Sequence, residues 1–299
     1  MKQKGVERVK RKISAVIFFM GLLILTACGN MEGENNGGDA EKSEPSNKWE
    51  EIQEAGEIVV GTSGTLYPAS YYPEDSDKIT GYDVEIVKEM AKRLDLDVSF
   101  EIMGIDSMLS SLDSGRIDLV ANDIEVTDER KKNFAFSKPY KYSYATMIVR
   151  EDDLSGIQTL EDLEGKIAGG GATTVFSQIA KHFGAEIKTY TNVTNDVYLR
   201  DVENGRTDLV MNDYYLQSLA LEALPEIDVT LHPDLRFHPS EQALVMQKDA
   251  EVFREKINQV MKDMREDGTL KELSEQFFGG KDASTPPDKE IKEVEGLDL

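Results

Sequence analysis

Arg130 lies in a short polar run that begins Thr127-Asp128-Glu129-Arg130, and its side chain can bind the carboxylate of a small molecule. Its planar guanidinium can donate two parallel hydrogen bonds to one carboxylate. Combined with an acid that receives an ammonium group, such an arginine would hold a zwitterion. Arg130 could instead be a surface arginine beside Lys131 and Lys132, which we interpret as solvated. The surrounding motif favours the binding role.

Two nearly identical stretches, Gly115–Asp123 and Gly205–Asp213, each run through Asp-Leu-Val and end in Asn-Asp. A buried strand that stops at a polar pair is typical of the carboxyl edge of a parallel sheet, where open α/β sheets bind ligands. Two such edges predict two similar α/β lobes that face each other across a cleft. Inside the second stretch, we interpret Asp208 as a structural residue.

A glycine-rich loop, Gly169-Gly170-Gly171, leads to Thr173 and Thr174 at the start of a predicted helix. Free backbone amides at a helix start suit an anion. The loop lacks the Gly-Lys-Ser/Thr ending of a phosphate-binding loop, which argues against nucleotide binding.

The residue types that carry most enzyme chemistry are scattered or absent. His182, His232 and His238 form no cluster with metal-ligand spacing, and no serine or cysteine nucleophile motif occurs. We therefore expect no metal, no cofactor and no catalytic residue. The formal net charge of -23 makes nucleic acid a poor partner, because so acidic a chain repels phosphate backbones.

Alternating strand and helix patterns predict the elements that position these residues. The order strand–loop–helix–strand–helix–strand occurs twice in the 299 residues, a length sufficient for two domains. No predicted strand of the second lobe remains to be covered by the last two predicted helices, Glu251–Glu266 and Thr269–Phe278. These helices must therefore belong to the first lobe, and we expect the second lobe to be inserted in the first. The chain would cross near Tyr140–Tyr144 and His238–Gln242, and two crossing strands behave as a hinge that closes about a ligand.

The amino terminus has the pattern of a lipoprotein signal peptide. A basic segment that includes Lys2 and Arg11 precedes the apolar run Ile13–Ala27, which is short for a membrane span. Leu25-Thr26-Ala27-Cys28 resembles a bacterial lipobox, so we predict that Cys28 is lipidated and anchors the protein to the outside of the cell membrane. Cys28 is the only cysteine, which excludes an intramolecular disulfide.

The same patterns predict a domain organisation and the remaining elements. The predicted parts are a signal peptide (1–27), a flexible tether (28–48), lobe 1 (49–141 and 241–280), lobe 2 (142–240) and a charged tail (281–299). Further predicted strands are Glu57–Gly61, Leu96–Glu101, Lys166–Ala168, Ile187–Tyr190 and Gln242–Met246, and further helices follow Gly81, span Ser107–Ser114, end at Phe183 and span Tyr198–Glu203.

Six short motifs together resemble the family-3 solute-binding proteins of amino-acid ABC importers, over roughly Trp49 to Gly279. The motifs are Val60-Gly61-Thr62-Ser63, Gly81-Tyr82-Asp83-Val84-Glu85, Ser114-Gly115-Arg116-Ile117-Asp118, Thr127-Asp128-Glu129-Arg130, Phe136-Ser137-Lys138-Pro139-Tyr140 and Asp267-Gly268-Thr269-Leu270. The runs Asn122–Arg150 and Asn192–Leu219 are most similar to members that bind L-cystine and related sulfur amino acids. The resemblance implies an α/β, two-lobe type II periplasmic-binding-protein fold, a monomer, an amino-acid ligand and an ABC permease as partner.

The resemblance also implies roles for individual residues. Arg130 would hold the ligand carboxylate, the Thr173-Thr174 loop would complete that site from lobe 2, and Asp213 would receive the ligand ammonium. Asp213 could instead be the N-cap of a helix over Tyr214–Leu221. The positions that match pocket-lining residues are Ser63, Leu66, Tyr67 and Ile105, of which Tyr67 could equally be core.

Glu125 and Asp123 depart from the family pattern, and relatives usually carry a small hydroxyl residue or glycine in place of Glu125. An extra acid in the cleft suits a ligand with a second ammonium, such as cystine, or with a basic side chain. Alternatively, Glu125 turns away into solvent. A less favoured reading is an enzyme similar to cyclohexadienyl dehydratases, with Glu125 as general acid.

Overall fold

Two mixed β-sheets, each covered by helices, form most of the computed structural model, which describes residues 48–287 and 291–297. The predicted signal peptide and Cys28 lie outside these residues, as does the predicted tether except for Lys48. Lys48 does not belong to a tether but begins the first helix, where its ammonium pairs with Asp118 at 3.2 Å.

The elements alternate along the chain much as their apolar periodicity predicts. The helices are α1 (Lys48–Ala55), α2 (Tyr82–Arg93), α3 (Ile105–Asp113), α4 (Asp128–Asn133), α5 (Val175–His182), α6 (Asn195–Glu203), α7 (Tyr214–Ala223), α8 (Glu251–Glu266) and α9 (Thr269–Phe277), with short 3-10 turns at Leu154–Gly156 and Leu160–Leu163. The strands are β1 (Glu57–Thr62), β2 (Thr65–Leu66), β3 (Ser70–Tyr71), β4 (Asp97–Ile102), β5 (Leu119–Val120), β6 (Phe134–Phe136), β7 (Lys141–Arg150), β8 (Ile167–Gly170), β9 (Glu186–Thr189), β10 (Leu209–Asp213), β11 (Val229–Leu231), β12 (Phe237–Gln242) and β13 (Val245–Gln247).

Each sheet is the centre of one lobe. The lobe 1 sheet has the order β4-β1-β5-β13-β6, with β1 parallel to both β4 and β5 and with β13 antiparallel to its neighbours. The lobe 2 sheet has the order β11-β7-β10-β8-β9, with β8 parallel to β9 and β10, and with β12 as a further partner of β7. Parallel strands whose carboxyl ends share one edge are the arrangement that the repeat predicts.

Strands β7 and β12 connect the two lobes. They pair antiparallel, with Lys141 opposite Gln242 and Ala145 opposite Phe237. The predicted two-strand hinge and the insertion of lobe 2 in lobe 1 are thereby confirmed. The single strand predicted over Gln242–Met246 is wrong, because β12 ends at Gln242 and β13 begins at Val245. Strand β12 pairs with β7 of the lobe 2 sheet, whereas β13 pairs with β5 and β6 of the lobe 1 sheet.

Apolar side chains cover both faces of each sheet. Their burial stabilises the sheets and so holds in place the strand ends that face the cleft. In lobe 1, Tyr82 and Phe253 belong to the cluster on one face, and Met108 of α3 belongs to the cluster on the other. In lobe 2, Ile179 of α5 and Leu199 of α6 lie in clusters on opposite sides of the sheet.

The two repeats have the same local structure. The Asp118 carboxylate accepts a hydrogen bond from the Val59 N–H at 3.0 Å, which ties β5 to β1. The Asp208 carboxylate accepts one from the Ile167 N–H at 2.9 Å, which ties β10 to β8. The structural interpretation of Asp208 is therefore confirmed, and its partner in the first repeat has the same task.

The predicted charged tail packs on both lobes. Ala283 is fully buried in the lobe 1 core, and its carbonyl accepts from the Tyr142 N–H at 2.8 Å. Farther along, the His238 N–H of β12 donates to the Lys292 carbonyl at 2.8 Å, and Val294 packs against the lobe 2 core. These two segments of the 281–299 region are thus integral parts of the fold.

Candidate functional site

A cleft between the lobes contains most of the residues predicted to bind a ligand. Residues from lobe 1 that line it are Ser63, Thr65, Leu66, Ile105, Asn122, Asp123, Ile124, Glu125 and Arg130. Residues from lobe 2 include Gly169, Gly170, Gly171, Thr174, Phe176, Tyr190, Asn192, Asn195, Tyr198 and Asn212. Both Asn-Asp edges of the repeat thus contribute to one crevice, as the sequence predicts.

The Arg130 guanidinium is oriented by backbone groups and not by acids. Arg130 lies in α4, whose N-cap Thr127 accepts from the Arg130 N–H at 3.2 Å. Its Nη1 donates to the Glu125 carbonyl at 2.9 Å, and its Nη2 donates to the Thr173 carbonyl at 3.4 Å. No ion pair joins it to a carboxylate within the described ranges, and burial lowers its pKa from the ordinary value, although the nearby charges of Glu125 and Glu129 act to raise it. The side chain stays charged at neutral pH.

The glycine-rich loop approaches lobe 1 closely, and glycine permits this. A Cβ on Gly171 would lie 3.2 Å from the Ile105 side chain, and one on Gly170 would lie 2.5 Å from Ser177 Oγ. Thr174 caps α5 by accepting from the Ser177 N–H at 3.2 Å. The helix start predicted at these threonines is confirmed, and Thr174 and Val175 at this start line the cleft.

Several hydrogen bonds cross the cleft and hold the lobes in a closed arrangement. Thr65 Oγ1 donates to Asn192 Oδ1 at 3.0 Å. Thr173 donates to Asp106 through its N–H at 3.2 Å and its Oγ1 at 2.8 Å, while its carbonyl accepts from Arg130. Thr173 therefore contacts lobe 1 from lobe 2, whereas Thr174 lines the cleft.

The acids that end the two repeats meet on one buried lysine. Lys141 Nζ lies 2.7 Å from Asp123 Oδ1 and 3.0 Å from Asp213 Oδ2, and both Lys141 and Asp213 are 0% exposed. The other Asp213 oxygen accepts from the Leu216 N–H at 3.0 Å, so Asp213 is the N-cap of α7. Asp123 lines the cleft, but Asp213 is not among the residues that do. The predicted ligand role of Asp213 stays a prediction, and its helix-capping role is confirmed.

A third acid, Asp83, extends this cluster. Its Oδ2 accepts from the Tyr140 hydroxyl at 2.6 Å and from the Asp123 N–H at 2.5 Å. Burial raises the pKa of Asp83 to about 6 and that of Asp123 to about 7. Burial alone would lower the pKa of Lys141, but Asp123 and Asp213 raise it above its ordinary value. Two of the three carboxylates, Asp123 and Asp213, thus contact the one ammonium, while Asp83 is held by the Tyr140 hydroxyl and the Asp123 N–H.

Glu125 is buried beside the cleft and does not turn into solvent, so that alternative is wrong. It is 6% exposed, lines the cleft, and its Oε1 lies 2.5 Å from His238 Nε2. Its Oε2 has no hydrogen-bond partner within the residues described. Burial lowers the pKa of His238, but the hydrogen bond and charge of Glu125 outweigh this and raise it.

The remaining predicted lining residues divide into two groups. Ser63, Leu66 and Ile105 line the cleft, and the Ser63 N–H donates to Asn122 Oδ1 at 2.9 Å. Tyr67 is not among the lining residues, because its ring packs against Tyr71 with centroids 4.9 Å apart. Tyr67 packs against the lobe 1 core while remaining partly exposed, and its predicted lining role stays a prediction.

Sequence reasoning missed the aromatic wall of the cleft and the buried lysine. Tyr190 and Tyr198 lie with ring centroids 4.7 Å apart and both line the cleft. Lys141 carries a weak signal, since it opens a largely buried strand directly after the Phe136–Tyr140 motif. A lysine at such a position is rarely buried without a partner.

Neither a membrane span nor a metal site occurs in residues 48–287 and 291–297. No helix in these ranges combines the length and apolar character that crossing a bilayer requires. No group of three or more potential metal ligands comes together there.

Comparison with known proteins agrees with this geometry. Residues 58–280 match the model of the bacterial extracellular solute-binding proteins, family 3. The chain is 51% identical to the probable ABC transporter extracellular-binding protein YckB of Bacillus subtilis (strain 168), over 94% of this chain and 97% of the relative. It is 30% identical to the L-cystine-binding protein TcyA of the same organism, over 91% of this chain and 98% of the relative.

Solved structures show the same two-lobe fold. The crystal structure of YckB from Bacillus subtilis superposes with a TM-score of 0.67 at 55% identity, covering 83% of this chain and 99% of the other. An ancestral arginine-binding protein bound to arginine gives a TM-score of 0.69 at 30% identity, covering 75% of this chain and 99% of the other. The chain therefore belongs to the bacterial extracellular solute-binding proteins of family 3, as an amino-acid-binding, extracytoplasmic component of an ABC importer.

Proposed function

We propose that this protein captures L-cystine, or a related sulfur amino acid, and delivers it to the permease of its ABC importer. The observation that carries the proposal is the Arg130 guanidinium. It lines the cleft between the lobes, two backbone carbonyls orient it, and no ion-pair partner occupies it within the described part of the chain. A ligand carboxylate supplies the partner that such a group lacks.

The ligand carboxylate would bind between the lobes. Arg130 would hold it from lobe 1, and the loop that ends at Thr174 would offer backbone amides from lobe 2. Ser63 and Ile105 would shape the lobe 1 wall, opposite the aromatic wall of lobe 2. Because β7 and β12 cross between the lobes, opening and closing about this hinge would admit and bury the ligand.

The similarity to TcyA, whose name states L-cystine binding, supports cystine as the ligand. A basic amino acid is the alternative, because Asp123 and Glu125 make the cleft acidic and one structural relative is bound to arginine. In either case we propose binding without turnover, since the relatives named above are binding proteins.

We further propose that Cys28 carries lipid and tethers a monomeric binding body outside the membrane. The sequence around Cys28 supports this, and lobe 1 (49–141 and 241–280) and lobe 2 (142–240) would form that body. Substituting Cys28→Ala should prevent palmitate incorporation and release the protein from the membrane fraction into the medium. Retention of the variant in the membrane fraction would contradict the anchor.

A thermal-shift screen of the amino acids, with cystine, cystathionine and arginine included, tests the ligand. A ligand present at one hundred times its dissociation constant adds about 2.7 kcal/mol of stability. We expect the largest shift with L-cystine. A shift with arginine and none with any sulfur amino acid would favour the alternative.

Titration calorimetry on Arg130→Ala tests the site. We expect the variant to lose about 2–5 kcal/mol of binding free energy, because a buried ligand carboxylate would be left unpaired. Arg200→Ala is the matched control, since Arg200 lies on the surface of lobe 2, where it pairs with Glu226 at 3.1 Å. Unchanged cystine affinity in Arg130→Ala would refute the assignment.

A further inference from the structure

Two docked segments near the end of the chain, residues 281–287 and 291–297, contribute no residue to the lining of the cleft. The first segment is fixed to lobe 1. Ala283 is 0% exposed in the lobe 1 core, its N–H donates to Ser274 Oγ at 2.7 Å, and Ser284 beside it is also buried. A buried backbone whose polar groups have partners in one lobe moves with that lobe.

The second segment is fixed to lobe 2. The Lys292 carbonyl accepts from the His238 N–H at 2.8 Å, and Lys292 forms a parallel bridge with Phe237 of β12. The side chains of Val294 and Leu297 pack against the lobe 2 core. The chain therefore passes from lobe 1 to lobe 2 once more, in addition to the crossings that β7 and β12 make.

The two segments are attached at opposite ends of the hinge. Tyr142, near the start of β7, donates its N–H to the Ala283 carbonyl at 2.8 Å and lies opposite Glu241 of β12. Farther along β7, Ala145 lies opposite Phe237, the residue that forms the bridge to the second segment. Bending of the hinge between Tyr142 and Ala145 displaces one attachment relative to the other.

We propose that residues 281–287 and 291–297 form a splint that restrains the hinge and favours the closed arrangement of the lobes. The splint is docked on both lobes in a structure whose lobes are already joined across the cleft by Thr65 and Asn192. Each hydrogen bond of the splint that breaks on opening shifts the equilibrium toward the closed form by about twofold to tenfold. A ligand that needs the closed form then binds in proportion to the closed fraction, whichever small molecule the ligand is.

A distance measurement between the lobes tests the splint. Double electron–electron resonance is recorded on the full chain with Cys28→Ser, so that only introduced cysteines carry spin labels. The labels are placed at Ser110→Cys of α3 in lobe 1 and at Arg200→Cys of α6 in lobe 2, which are both exposed helix positions. One variant lacks residues 291–299, and a second, Val294→Asp, undocks the segment from the lobe 2 core.

Two controls separate the splint from general stability. Glu295→Ala changes an exposed residue of the same segment and should leave the distances unchanged. Ile179→Val removes one methyl group from the same lobe 2 core, where Ile179 is 0% exposed. This second control should lower Tm without moving the lobes, because Ile179 lies in α5 and not in the splint.

In the deletion and in Val294→Asp, we expect the ligand-free distances to become longer and the affinity for L-cystine, measured by calorimetry, to fall by about twofold to tenfold. A ligand-free distance distribution equal to that of wild type, or equal to that of Ile179→Val, would overturn the inference. If neither wild type nor the variants bind cystine, the proposed ligand is wrong, and the distances alone decide whether the splint restrains the hinge.

Discussion

Replacing Lys141 with methionine is the most severe single change that the structure predicts. The lysine is 0% exposed, and its Nζ lies 2.7 Å from Asp123 and 3.0 Å from Asp213. Methionine fills a similar volume but leaves both carboxylates buried without their cation. Breaking a buried ion pair from one side costs about 3–5 kcal/mol, against about 5–15 kcal/mol for the whole stability of a typical domain.

Urea denaturation followed by circular dichroism measures this cost. Lys262→Met is the matched control, because Lys262 is 63% exposed and pairs with Glu266 at 3.4 Å on the helix surface. We expect the control to change the free energy of unfolding by less than about 0.5 kcal/mol. Adding Asp213→Asn to Lys141→Met should recover part of the loss, since asparagine can still cap α7 while one unpaired charge is removed. If Lys141→Met lies within about 1 kcal/mol of wild type, the buried cluster does not have the assigned role.

Three further predictions concern the fold and its dependence on pH. Asp118→Ala should lower the free energy of unfolding by about 1–3 kcal/mol, because the Val59 N–H loses its side-chain acceptor; a smaller change in a denaturation curve would contradict the role of the repeat. Burial raises the pKa of Asp83 to about 6 and of Asp123 to about 7, so the folded state binds their protons more tightly than the unfolded chain does. Their contribution to stability is lost as pH rises through these values, and Tm should therefore increase by about 2–4 °C between pH 8 and pH 5.5; a fall in Tm would show that the sign is wrong. Burial lowers the pKa of His238, but its hydrogen bond with Glu125 and the charge of Glu125 outweigh this and raise it, so the pair stabilises the fold at low pH and this contribution is lost as pH rises through the raised pKa; His238→Gln should therefore lower Tm more at pH 5.5 than at pH 8, and an equal effect at both pH values would contradict the pairing.

Short-range patterns made much of the fold predictable. The apolar spacing of α8 places Phe253, Ile257 and Met264 on one buried face, and the structure has the predicted helix bounds. The repeated Asp-Leu-Val stretches predict strands whose aspartates, Asp118 and Asp208, each accept a hydrogen bond from the adjacent parallel strand of the sheet. These features depend on neighbours in sequence or on one adjacent strand, so the local pattern suffices.

The parts that were not predictable depend on segments far apart in the sequence. Lys141 lies 18 residues from Asp123 in the sequence, and much farther from Asp213. Its ammonium nevertheless pairs with both carboxylates. No local pattern encodes that convergence, because it follows from the crossing of β7 between the sheets. Pro286-Pro287 and the many charges of the 281–299 region predict a tail or a loosely docked extension, yet Val294 within it packs against the lobe 2 core.

The structure of the protein with L-cystine bound tests the central claim most directly. The account predicts one ligand carboxylate about 3 Å from the Arg130 guanidinium, in the cleft between the lobes. A ligand carboxylate bound elsewhere, with Arg130 still held only by backbone carbonyls, would contradict it.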